Sequence, residues 1–201
     1  MQYWKHSSTL LVGGMLAFAV PIMAQAPGQQ QQPQGQNRPA AGTPSHSAAS
    51  ANQRAADLLN TINKGEINVA QMMQGHTQNQ QVKDFADTLV NDHKDAQNKL
   101  ESAASSANIS LKENPAMQKS DQKLQDRLSN EKGAMADQAF VSSQVRDHRA
   151  AIRQLQRLEP RVTDPQLKDV VRSTIPVLQK HLDDAQKLQT QLKAGKGGGG
   201  K

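Results

Sequence analysis

The sequence predicts an all-α fold: four long amphipathic helices in two tight hairpins, joined by a long crossover that contains a short helix. Three observations carry this. Residues 52–193 are rich in Ala, Gln, Lys, Leu and Asp and poor in β-branched residues, a composition that favours helix. Apolar residues recur there at three- and four-residue spacing, and no alternating strand pattern interrupts them. Prolines are confined to a few places, among them Pro115, Pro160 and Pro165, where they mark helix starts and stops.

In chain order, Lys5 and His6 precede an apolar run from Thr9 to Ile22, followed by small residues. That is the order of a secretory signal peptide, expected over 1–26 with cleavage after Ala24 or Ala26. The run of about 14 residues is short of the roughly 20 that span a bilayer. The mature chain is therefore expected in the periplasm or secreted, without an integral membrane span. Residues 27–51 are Gln, Pro, Gly, Ser and Ala with one charge, Arg38. They read as a disordered tether, with His46 solvated. Helix A is expected over roughly Asn52–Gln74, ending near Gly75, with a turn at Thr77–Asn79. Helix B follows over Gln80–Ala107. The crossover, Asn108–Lys132, contains Pro115 and then a short helical pattern through Leu124 and Leu128. Helix C runs over Gly133–Leu158 and is stopped by Pro160. Asp164-Pro165 opens helix D, which continues to about Leu192, and 194–201 reads as a flexible Gly/Lys tail. Ferritin-like proteins use this connectivity for a four-helix bundle, here assigned to 52–193.

Composition removes several function classes. The chain has no cysteine, which excludes disulfides, thiolate metal sites and cysteine nucleophiles. Five of the six net positive charges come from the ends, since 52–192 holds 19 of the 24 basic residues and all 18 acids. A phosphate-binding surface needs a clustered basic excess, so nucleic acid is not an expected partner. Removal of the signal also leaves only Phe85 and Phe140 as aromatics, too few for base-stacking platforms. No nucleophile–base pair, phosphate loop or general-acid pair stands out, and a non-enzyme is favoured.

The candidate site appears when each helix is laid out at about 100° per residue. His93 then falls about 80° from Phe85, inside the apolar arc of helix B, with Asp92 at its edge. His148 falls about 80° from Phe140 on helix C, with Asp147 at the edge. The two helices share a repeat: Phe85-x4-Val90-x-Asp92-His93 returns as Phe140-x4-Val145-x-Asp147-His148. On helix D, His181 lies between Leu178 and Ala185 on the apolar stripe. On helix A, Glu66 lies between Ile62 and Ala70 on the same kind of stripe. Glu66 and His93 are roughly 18 and 21 Å from the A–B turn, and His148 and His181 roughly 21 and 27 Å from the C–D turn, at 1.5 Å per residue. All four groups should meet near mid-bundle.

Burying a carboxylate and three imidazoles among alanine and leucine is costly unless they are paired or bound to a metal. Glu66, His93, His148 and His181 suit a divalent transition metal such as Fe, Mn, Zn or Cu. Asp92 and Asp147 are expected as extra ligands or as acceptors for imidazole N–H groups. The competing reading is a metal-free hydrogen-bond network. His76, Met72 and Met73 read as cap and packing residues. Pro176 interrupts the helix-D backbone ladder five residues before His181.

These residues also carry a resemblance. Gly65-Glu66, Val82-Lys83-x-Phe85-Ala86-x3-Val90-x-Asp92-His93, Phe140-x4-Val145-x-Asp147-His148 and Thr174-Ile175-Pro176-x-Leu178-x2-His181-Leu182 resemble the exported bacterial family known as domain of unknown function 4142. The resemblance covers essentially all of 52–192. It implies a ferritin-like fold and an exported location, and no activity, since the family has none established. True di-iron ferritin-like proteins place a Glu on each of two helices and Glu-x-x-His on the other two. Here the only inward Glu is Glu66, and His181-x-x-Asp184 runs in the opposite order, which argues against oxidative di-iron chemistry. Two functions stay open: an exported metal-binding bundle, or a structural or stress-related envelope bundle whose polar core is metal-free. The sequence names neither an envelope partner nor a homo-oligomer.

Overall fold

Five helices make up almost all of residues 46–197, the part of the chain that the computed structural model describes. They are α1 (His46–His76), α2 (Gln80–Ser106), α3 (Pro115–Asn130), α4 (Ala134–Leu158) and α5 (Pro165–Gly197), with a 3-10 turn at Glu159–Arg161. Among the described residues there is no strand, and no helix is long and apolar enough to cross a membrane. The expected signal peptide, 27–45 of the expected tether and the last four residues lie outside the described residues.

Local chemistry accounts for most boundaries. The Asn79 side chain accepts from the amides of Gln81 and Val82 and caps α2. Asn114 does the same for Ala116 and Met117, with Pro115 in the first turn of α3. A side-chain oxygen that satisfies the orphan amides of a first turn is worth about 1 kcal/mol. Asn108, at φ +53°, turns the chain out of α2, a conformation asparagine tolerates better than most residues. The Asp164 carboxylate accepts from Leu167 N–H at 2.8 Å and starts α5. Pro176 lies inside α5 without ending it.

Two boundaries differ from expectation. Helix α1 starts at His46, six residues inside the segment read as tether, and Ala51 is fully buried. Alanine and serine look like linker composition, but alanine is the strongest helix former once a neighbouring helix offers a surface. At the other end α5 continues to Gly197, past the expected stop.

Helix α1 packs along α2, α4 along α5, α2 against α5 and α1 against α4, while α3 lies over α1 and α4. Hydrogen bonds set the directions. Thr163 N–H donates to Asn52 at 2.9 Å, joining the start of α1 to the end of the α4 hairpin. The Thr77 hydroxyl donates to Asp137 at 2.6 Å, joining the end of α1 to the first turn of α4. Helices α1 and α4 are thus antiparallel.

The core has two apolar halves. One contains Leu59, Ile62, Leu100, Ile152, Leu155, Leu167 and Leu178. The other contains Val69, Met73, Phe85, Leu89, Phe140, Ala185 and Leu188. On each long helix the residues between these groups are polar and buried: Asn63, His93, Gln97, Gln144, His148 and His181. A polar layer therefore crosses the middle of the fold.

Candidate metal centre

Three helices bring one imidazole each into this layer. His93 of α2 and His148 of α4 are 1% exposed and His181 of α5 is 0% exposed. Their ring centroids are 5.8, 5.4 and 5.3 Å apart, a nearly equilateral triangle. The sequence repeat is also a spatial one. The Phe85 and Phe140 rings touch, with centroids 6.1 Å apart, and eight residues on in both helices the His93 and His148 rings meet. Only parallel helices in register can do this.

Each imidazole is held from outside by an oxygen. His93 Nδ1–H donates to Asn63 Oδ1 at 3.0 Å. His148 Nδ1–H donates to the Gln144 backbone carbonyl at 3.1 Å. His181 Nε2–H donates to Asp92 Oδ2 at 2.8 Å. An amide oxygen, a backbone carbonyl and a carboxylate can only accept, so each outer nitrogen carries the proton. The three inner nitrogens, His93 Nε2, His148 Nε2 and His181 Nδ1, are then left with lone pairs. This is the tautomer pattern that metal-bound histidines show, with the other ring N–H given to a carbonyl or carboxylate.

One nitrogen of each ring lies within 4.8 Å of the other two. His148 Nε2 and His181 Nδ1 are 3.3 Å apart. Two nitrogens on one tetrahedral zinc at about 2.05 Å lie about 3.3 Å from each other. His93 Nε2 is buried and has no partner among the described residues. Such an atom costs stability unless something occupies the space it faces.

The electrostatics agree with neutral rings. Burial first, then His148 and His181, hold His93 well below the ordinary imidazole range. Burial and His181 push His148 down to about 3, against the Gln144 carbonyl. Burial lowers His181 too, with Asp92 opposing. Burial disfavours the charged form, and a neutral imidazole is the form that ligates.

The structure separates the six expected site residues. His93, His148 and His181 converge. Asp92 is the acceptor for His181 rather than a member of the inner set. Glu66 Oε1 lies 3.7 Å from His148 Nδ1, on the outer side of that ring. Its carboxyl is raised to about 8, mainly by burial, and its Oε2 has no partner among the described residues. Asp147 does not reach the imidazoles, because the Arg146 Nε and Nη2 donate to its two oxygens at 2.9 and 2.8 Å. His76 lies apart from this cluster, and its Nε2–H donates to the Glu131 backbone carbonyl at 2.6 Å.

Sequence reading missed the amides around the cluster. Asn63 Nδ2 donates to Gln97 Oε1 at 3.3 Å, and Gln97 Nε2 donates to Asn60 Oδ1 at 3.0 Å. Gln97 lies four residues after His93 and Gln144 four before His148. That spacing puts each amide on its histidine's face and was the available signal.

Residues 36–188 match the family described as domain of unknown function (DUF4142). The chain belongs to the DUF4142 family. No curated protein and no solved structure matches it. The family match spans all three histidines, Asn63, Glu66 and Asp92, so the whole cluster belongs to the DUF4142 domain.

Proposed function

We propose that this DUF4142 chain is an exported ferritin-like four-helix bundle that binds one divalent transition metal through His93, His148 and His181. The reading rests above all on the three inner nitrogens, each freed by an oxygen acceptor on the outer side of its ring. Three imidazoles suit Zn, Cu, Fe or Mn better than a hard cation such as Ca or Mg. Asp92 strengthens His181 as a donor, and Asn63 and the Gln144 carbonyl orient the other two rings. Ferritin-like architecture is supported by two antiparallel hairpins with α3 in the crossover between them. Export is supported by the Lys5–Ala26 pattern. The role that follows is metal holding or buffering in the envelope.

One observation favours a second reading. The 3.3 Å contact between His148 Nε2 and His181 Nδ1 closes as a hydrogen bond when one inner nitrogen is protonated. A metal-free polar layer would then set helix register in a structural protein.

Elemental analysis of protein purified from the periplasm decides between them. Metal holding gives about one equivalent of transition metal, lost in His93→Ala, His148→Ala and His181→Ala. Native protein without metal, and a melting temperature unmoved by Mn, Fe, Co, Cu and Zn, would leave only the structural reading.

A further inference from the structure

A cavity of about 320 Å³ lies on the outer side of His148, under α3 and along the seam of α1 and α4. Three helices each give it a carboxyl: Glu66, Asp121 and Asp147. Apolar surface comes from Ile62, Met117 and Leu178. Of the three, Asp147 is the carboxyl bound by an arginine, with both its oxygens held by Arg146. Asp121 forms no ion pair among the described residues. Glu66 takes a hydrogen bond from the Gln144 side chain, and the His148 Nδ1–H beside it is already given to the Gln144 backbone carbonyl.

Two further observations point to a ligand. The Glu66 side chain is only 12% exposed, yet its Oε2 is buried with no partner among the described residues. A buried carboxyl oxygen left unpaired is costly unless a donor arrives. Asp121 is also seated rather than swinging in solvent, because its carboxylate lies against the backbone of α1 where Gly65 has no Cβ. Glycine inside a helix costs about 1 kcal/mol relative to alanine, so α1 gives up stability where it admits this carboxylate.

The chemistry of the occupant follows. Among the described residues the only set of three groups close enough to share one ion is the histidine cluster, so these three carboxyls are not gathered around a single point. The volume is at the lower end of small-molecule sites, about 300–1,000 Å³. Carboxyls beside apolar walls suit a charged head on a short hydrocarbon body.

We propose that this cavity binds a small organic cation, an aliphatic amine or guanidine whose head pairs with Glu66 and Asp121 and whose body lies against Ile62, Met117 and Leu178. A cation in this place favours the ionised form of Glu66 over the protonated form that burial favours, and its N–H groups reach the Oε2 that has no partner among the described residues. The site is separate from the inner nitrogens of the histidines, and it stands whether or not they hold a metal.

Calorimetric titration of the full chain in EDTA tests this, with n-butylammonium and n-butylguanidinium as probes and 1-pentanol as the uncharged control. Both cations should bind at least tenfold more tightly than pentanol. Asp121→Asn and Glu66→Gln should each weaken them at least tenfold. Ala150→Leu fills the cavity from α4 and leaves every carboxyl in place, and it should weaken them as much. Melting temperatures show which variants are folded, and Asp121→Asn with Ala150→Leu carry the test if Glu66→Gln is not. Cations that bind no better than pentanol, or that bind these two variants as they bind the wild type, would overturn the proposal. Loss of binding in EDTA would place the amine on a metal ion and overturn it too.

Discussion

His181 gives its Nε2 proton to Asp92 at 2.8 Å, and this one bond turns the ring so that Nδ1 faces His148 and His93. The corresponding aspartate of the repeat, Asp147, is bound to Arg146 instead. The pair therefore yields an asymmetric prediction. Asp92→Ala should weaken metal binding about 10- to 100-fold, the usual cost of losing an outer acceptor of a ligating histidine. Asp147→Ala should leave affinity within about twofold. Competitive titration against a chromogenic chelator measures both, and equal effects at the two positions would show that Asp92 has no special role.

The histidines should respond as a set. Metal that binds only the folded state adds about 2.7 kcal/mol at 100 times its dissociation constant. Melting temperature should therefore rise with added metal in the wild type and stay flat in each single His→Ala variant. Replacing His93, His148 and His181 together by leucine or methionine separates metal affinity from stability. The metal-free triple variant should be as stable as the wild type or more so, because a buried polar set is often no better than apolar residues of similar volume.

The histidines were legible because helical spacing is a strong signal. Leu178 and Ala185 flank His181 on one face, and the Phe-to-His repeat puts His93 and His148 at the same height. What was not legible depended on neighbours from other helices. Asp92 and Asp147 occupy equivalent positions, and only the fold shows that α5 brings His181 to the first. The residue before each aspartate held a hint, Asn91 in one repeat and Arg146 in the other. The start of α1 was hidden by Ser/Ala composition, which reads as linker until Ala51 is seen buried. The approach of Asp121 to Gly65 was not legible either, since nothing in the sequence says that α3 lies over α1.

The pH dependence of the metal-free protein has two arms. The three imidazoles are depressed in the folded state. Their contribution is complete above about 6.5, the unfolded value, and is lost as pH falls. Glu66 is raised from 4.5 to about 8, so its contribution is complete below 4.5 and is lost as pH rises through 8. Asp121, raised from 3.8 to about 6, acts in the same direction over a lower range. Between 6.5 and 8 the slope belongs to Glu66 among these groups. Urea midpoints in EDTA should fall across that interval in the wild type and stay level in Glu66→Gln. A wild-type midpoint that is flat from 6.5 to 8 would mean that Glu66 is not held protonated.

Gly65 offers a test of how closely α3 is seated. On an exposed helix, glycine to alanine gains about 1 kcal/mol from backbone entropy. At position 65 the added Cβ would run into the Asp121 carboxylate. Turning that carboxylate aside, toward the cavity that Asp121 lines, offsets part or all of the propensity gain, so Gly65→Ala should stabilise less than an exposed glycine-to-alanine change. Gly75 has open space around it, and Gly75→Ala should be neutral or stabilising. The cause can be isolated by a cycle, because Asp121→Ala removes the group that the new methyl meets. In that background Gly65→Ala should recover its full helix-propensity gain, giving a coupling energy of up to about 1 kcal/mol between residues in contact. Additive effects in urea unfolding would show that Asp121 does not approach the α1 backbone as the structure places it.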